Sequence, residues 1–141
     1  MSVRIQALIV DAADPARLAA FWQEVLGWRR TFENDEEVVL EPAEHSLEDG
    51  VAADLLFSRA AEAKAGKNRL HLDLRPSAEP GQEAEVARLL ALGATHADVG
   101  QSGDEGWVVL ADPEGNEFCV LSPFSPEQEA QLAAIRAARQ P

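Results

Sequence analysis

The chain has a single cysteine, Cys119, in 141 residues. No intramolecular disulfide can form, a usage that fits a reducing cytoplasm. No apolar run approaches the roughly 20 residues needed to cross a bilayer, which argues against a membrane-spanning role. No signal-peptide architecture is seen, because Met1-Ser2-Val3-Arg4 runs directly into a strand pattern. Basic residues are few: 12 Lys and Arg stand against 25 Asp and Glu, for a formal net charge of −13. Nucleic acid is thereby disfavoured as a partner, since phosphate binding needs clustered Lys and Arg. Several catalytic signatures are also missing. Gly100, Gly103 and Gly106 fall in a polar turn, not between a strand and a helix, so they form no phosphate loop. The serines have no nucleophile-elbow context. His45 and His96 lie in loops and make no metal-binding spacing.

What is present suits one compact domain. Hydrophobic residues make up 46 % of the chain, enough for a core, and the length is too short for two ordinary domains. Val3 to Val10 reads as a buried strand. Asp14-Pro15 then starts a helix as N-cap and first-turn proline, with Leu18, Phe21, Trp22, Val25 and Leu26 at helical spacing and Gly27 as its stop. Strands are expected over 28–32, 37–41 and 52–58, followed by a small-residue linker over 60–67. The central stretch, Arg69 to Arg75, alternates strictly. Arg69, His71, Asp73 and Arg75 share one face, and Leu70, Leu72 and Leu74 the other, the period of a half-buried strand. A helix with Val86, Leu89, Leu90 and Leu92 ends at Gly93. A weak strand near His96 follows, then strands over 107–111 and 117–122 joined by the turn Asp112-Pro-Glu-Gly-Asn116. Each half therefore reads strand–helix–strand–strand–strand, an internal repeat of architecture. Ser125-Pro126-Glu127 opens a last, Ala-rich helix in which Leu132 and Ile135 are placed to pack on the domain or on a partner chain.

Paired βαβββ halves resemble the vicinal-oxygen-chelate superfamily, the glyoxalase I, bleomycin-resistance and extradiol-dioxygenase group. The resemblance rests on Asp14-Pro15 with Phe21-Trp22 and Leu26-Gly27-Trp28, on Asn68 to Leu74, and on Asp112 to Leu121. It is nearest to "glyoxalase-like domain" proteins. The implied fold is α+β, with two βαβββ modules forming a curved mixed sheet around a central cavity. The expected division is a domain over 1–124, made of repeats 1–60 and 67–124, and a helical extension over 125–141. Related proteins commonly assemble as homodimers, so a homodimer is expected.

In metal-dependent members, four strands send ligands into the cavity. Carried over by position, the first ligand falls on Ala7, which supplies none, and the neighbouring Gln6 is expected to face away. The ligand opening the second half falls on His71, and the final carboxylate on Cys119. Asp54 is the one carboxylate in the strand closing the first half. His71, Cys119 and Asp54 are thus the only trio left for a divalent metal, and none is expected. Cys119 reads equally as a small buried hydrophobe.

The remaining candidates are His71, Asp73 and Glu117 for acid–base chemistry, with Arg69, Trp107, Ile5 and Ala7 lining a ligand cavity. Trp107 could stack on an aromatic ligand or anchor the core, and His71 with Asp73 could instead be a structural pair. Two functions follow. The first is a small-molecule-binding protein of the bleomycin-resistance type with a degenerate metal site. The second is a lyase or isomerase of the glyoxalase type using His71, with or without a metal.

Overall fold

A computed structural model describes residues 3–139. The first half contains β1 (Ala7–Ala12), α1 (Pro15–Leu26), β2 (Arg29–Glu33), β3 (Glu37–Glu41) and β4 (Asp54–Arg59). The second contains β5 (Asp73–Leu74), α2 (Gln82–Leu92), β6 (Thr95–His96), β7 (Trp107–Ala111) and β8 (Glu117–Leu121), and α3 (Pro126–Arg139) follows. Each half makes its own four-stranded open sheet, in the orders β1-β4-β3-β2 and β5-β8-β7-β6. In both, the first strand runs parallel to the last and the other pairings are antiparallel. The repeat seen in the sequence is therefore a repeat of topology, and the fold is α+β as read.

Helix α1 begins and ends where its punctuation places it. The Asp14 carboxylate accepts the Arg17 N–H at 3.1 Å, and Gly27 takes a left-handed φ of 68° that returns its N–H to the Gln23 carbonyl. Its apolar face meets those of both sheets in one core. Phe57, Leu40 and Val38 come from the first sheet, and Leu110, Phe118 and Val120 from the second. Phe21, Trp22 and Phe118 make the central aromatic contact, with Trp22 edge-on to Phe118 at 5.1 Å between ring centres. Trp22 is core, as its helical spacing implied. Arg88 of α2 donates to the Glu24 and Val25 carbonyls. It thereby places a cation at the C-terminal end of α1, where the helix dipole favours one.

Two strands differ from expectation. The first begins at Ala7 rather than Val3, because its partner β4 begins at Asp54, opposite Ala7. Val3 and Ile5 have no neighbouring strand and lie exposed. Gln6, just before the strand, donates to Asp54 at 2.8 Å. The central strand, expected over 69–75, is reduced to Asp73–Leu74, extended by one hydrogen bond from Cys119 N–H to the Leu72 carbonyl. Upstream, the Asn68 N–H goes to the Glu117 side chain instead of a strand carbonyl, and residues 61–71 run as irregular chain.

Helix α3 carries a capping box. The Ser125 hydroxyl accepts the Gln128 N–H, and the Gln128 side chain accepts the Ser125 N–H. Leu132 is half-buried and Ile135 is 48 % exposed. The expected packing on the domain is therefore slight within one chain.

Candidate functional site

A cavity of about 630 Å³ opens between the two modules. Its apolar wall includes Leu8 and Val10 of β1, Phe57 of β4, Trp22 of α1 and Phe118 of β8. The irregular segment after β4 supplies the facing wall and much of the polar lining, with Asn68, Arg69 and His71. Because this segment is not a strand, consecutive residues from Asn68 to Leu72 all line the cavity, and alternation does not sort them into faces.

The cavity floor is built by the turn between β7 and β8. Asp112 is 3 % exposed. Its Oδ2 accepts the Trp22 indole N–H at 3.0 Å, and its Oδ1 accepts the backbone N–H groups of Glu114 and Asn116 at 2.9 and 3.0 Å. The Asn116 side-chain amide donates to both oxygens. Glu114 reaches across to the other module, where its two carboxylate oxygens accept the Ala13 and Asp14 N–H groups at 2.8 Å each. An anion at the start of α1 is favoured by the unsatisfied donors and the helix dipole there. The turn thus joins the modules, with its carboxylates engaged by the protein's own donors.

Glu117 lines the cavity, as expected of it. Its carboxylate holds the Lys64 ammonium at 3.0 Å and the Asn68 N–H at 2.9 Å. Burial pushes its pKa up, but the Asn68 N–H and Lys64 outweigh burial and leave it lowered. It is ionised at neutral pH and committed to those two donors. The exposed His71 places Nε2 at 2.8 Å from the Asn68 carbonyl. A carbonyl only accepts, so Nε2 donates there, and Nδ1 has no partner among the described residues.

The structure divides the other candidates. Asp73 does not join His71; it lies beside Cys119, its partner across β5 and β8. Burial pushes the Cys119 thiol up, and the Asp73 carboxylate pushes it further, so the half-buried thiol stays protonated. Ala7 and Trp107 line neither the main cavity nor a second one of about 570 Å³, whose lining includes Ile5 and Asp54. Trp107 is 45 % exposed at the open end of β7, while Val109 is buried. The trio His71, Cys119 and Asp54 is not brought together, and no three His, Cys, Asp or Glu side chains among the described residues are grouped to hold a metal. Ala7 offers no ligand, and Asp54 is engaged by Gln6.

Reading the sequence missed Lys64, Asp112, Glu114 and Asn116 as parts of the site. The turn's own signal was visible, since an Asp followed by Pro, Glu, Gly and Asn is equipped to bond its own backbone. Its reach to Trp22 and to the start of α1 crosses the whole chain and has no local signal.

Solved structures share the fold, among them the three that follow. A glyoxalase/bleomycin resistance protein/dioxygenase family enzyme from Burkholderia phytofirmans PsJN is 18 % identical, with TM-score 0.64, over 84 % of this chain and 97 % of that one. A glyoxalase-related enzyme from Fulvimarina pelagi is 18 % identical, with TM-score 0.62, over 86 % and 88 %. The fosfomycin resistance protein FosX from Listeria monocytogenes, as a mutant complexed with Mn(II) and 1S,2S-dihydroxypropylphosphonic acid, is 14 % identical, with TM-score 0.63, over 94 % and 98 %. No curated protein matches the chain. The family description "Glyoxalase-like domain" matches residues 7–121, spanning both modules, and the chain belongs to that family, within the vicinal-oxygen-chelate superfamily.

Proposed function

We propose that the chain binds a small, largely apolar and partly aromatic molecule in the cavity between its modules, without a metal. One observation carries this reading. Much of the cavity wall is apolar, with Leu8, Val10, Leu55, Phe57, Trp22 and Phe118, while Asp112, Glu114 and Glu117 each hold donors of the protein itself. Polar groups without a partner among the described residues also line it, Arg69 and the His71 Nδ1 together with the carboxylates of Asp11 and Glu62. Arg69 has no hydrogen bond or ion pair among the described residues and is the group for the ligand's polar end. Binding then draws on apolar burial for affinity and on a few placed polar groups for orientation. A second copy of the chain is the proposed partner, through surfaces that include α3.

Nile red, a neutral aromatic dye with a carbonyl at one end, tests the reading. Saturable binding with enhanced emission is expected. Arg69→Ala should weaken it about three- to tenfold, the loss of one modest hydrogen bond, with stability unchanged because the side chain is exposed. Equal binding by parent and variant contradicts it.

A second reading is an acid–base lyase or isomerase, favoured by the free Nδ1 of His71 at the cavity. In that reading Nδ1 accepts a proton from the bound molecule and returns it. Its signature is a turnover that vanishes in His71→Gln.

A further inference from the structure

Residues 61–71 are exposed but for half-buried Asn68, lack regular structure, and form one wall of the cavity. Their ends are fixed by strand-like bonds, from Ala60 N–H to the Ala12 carbonyl and from Cys119 N–H to the Leu72 carbonyl. Between those anchors, hydrogen bonds to the rest of the domain, among the described residues, converge on one group. Lys64 and the Asn68 N–H both go to Glu117. The other bonds here are internal: Lys64 to the Gly66 carbonyl, and His71 to the Asn68 carbonyl. Gly66 has a φ of 75°, which glycine adopts freely, so the chain can bend there. Leu70 lines the cavity yet is 75 % exposed, an apolar side chain at the mouth with nothing packed on it.

We propose that residues 61–71 are a strap that opens and closes over the cavity, with Glu117 as its latch and Leu70 as the side chain that closes onto a bound molecule. The inference rests on the reading of this cavity as a ligand site and adds how the ligand enters. A segment held at two ends and one interior point, with few buried apolar contacts, opens locally at far lower cost than the domain unfolds. Releasing the latch frees Asn68, Arg69 and His71 together, because all lie between it and the Leu72 anchor. The orienting groups therefore move with the gate, and a ligand meets them only once the strap has returned.

Two variants test the latch. Lys64→Met removes the ammonium from the strap without touching the core. Glu117→Ala removes both latch bonds. Hydrogen exchange of the ligand-free protein, followed by mass spectrometry, should quicken roughly tenfold over 61–71 in Glu117→Ala, the factor for losing charge-assisted hydrogen bonds at a partly exposed site. Lys64→Met should show a smaller rise in the same peptides, with β4, α1 and β8 unchanged in both. In stopped-flow mixing with Nile red, association and dissociation should both quicken severalfold while the equilibrium affinity changes less. Unchanged exchange over 61–71, or a rise spread over the whole domain, overturns the latch. Quickened exchange with unchanged dye kinetics overturns the gate. Absence of saturable Nile red binding in the parent protein counts against the ligand reading instead, and exchange then decides the strap alone. If Glu117→Ala fails to fold, Lys64→Met decides.

Discussion

Replacing Asp112 by Ala removes the carboxylate on which the two modules meet. Three backbone or indole donors lose their acceptor: Trp22 Nε1, Glu114 N and Asn116 N, together with the Asn116 amide. A hydrogen bond to a charged group contributes roughly 1.5–3 kcal/mol, and a buried donor left unpaired costs about 1–3 kcal/mol. Only the Trp22 bond is fully buried, so the turn bonds, which water can partly replace, count for less. The expected loss is about 4 kcal/mol, a large share of the 5–15 kcal/mol typical of a domain. It should lower Tm by on the order of 10 °C in a thermal melt followed by circular dichroism. Asp112→Asn keeps the shape but must set an amide N–H against one of the same donors, and should cost about 2 kcal/mol. Combined with Trp22→Phe in a double-mutant cycle, the pair should show a coupling of about 1–2 kcal/mol. A drop in Tm below about 3 °C for Asp112→Ala would refute the argument that this carboxylate joins the modules.

Three further outcomes are expected. Protein incubated with zinc, nickel, manganese or iron and then desalted should retain no stoichiometric ion by elemental analysis; near-equimolar metal that is lost in His71→Ala would revive a metal-assisted enzyme. Removing residues from Ser125 onward should change Tm by less than about 3 °C, since α3 packs little within one chain. If α3 meets a second copy, light scattering should show a smaller assembly, and a larger loss of Tm without such a change means that the helix packs on its own domain. The Glu105 carboxyl is held down to about 2 by the backbone N–H groups of Ser102 and its neighbours. A depressed carboxyl contributes order that is present above its unfolded value and lost as pH falls through its folded one. The turn over 101–106 should therefore keep its exchange protection from pH 6 to about pH 3 relative to Glu105→Gln, and melting of the turn near pH 4 would contradict it.

Most of the fold was legible because its signals are local. Asp14-Pro15 and Gly27 delimit a helix by their own chemistry. The central stretch failed for a reason that periodicity cannot see. Alternation says that a segment is able to be a strand, while a strand forms only where a partner offers backbone bonds. Here β8 pairs with Asp73 and Leu74, and upstream the Glu117 side chain captures the chain. The site suffered by the same mechanism. Arg69, His71 and Glu117 do meet at one cavity, but Asp73 was tied to His71 by an alternation that stops short of it. Ile5 and Trp107 were assigned to a cavity whose position depends on how the two modules dock. That docking is set by Trp22, Asp112 and Glu114, contacts about 90 to 100 residues apart in sequence.

The central claim is that the cavity between the modules takes an apolar aromatic molecule, and its position gives the most direct test. The chain has three tryptophans, and of these only Trp22 lines the cavity. In ¹H–¹⁵N spectra titrated with Nile red, the Trp22 indole resonance should shift together with the amides of Asn68, Arg69, His71 and Phe118, while the Trp28 and Trp107 indoles stay in place. Shifts confined to Trp107 and the open face of β7, or no saturable shift at Trp22, would contradict the account.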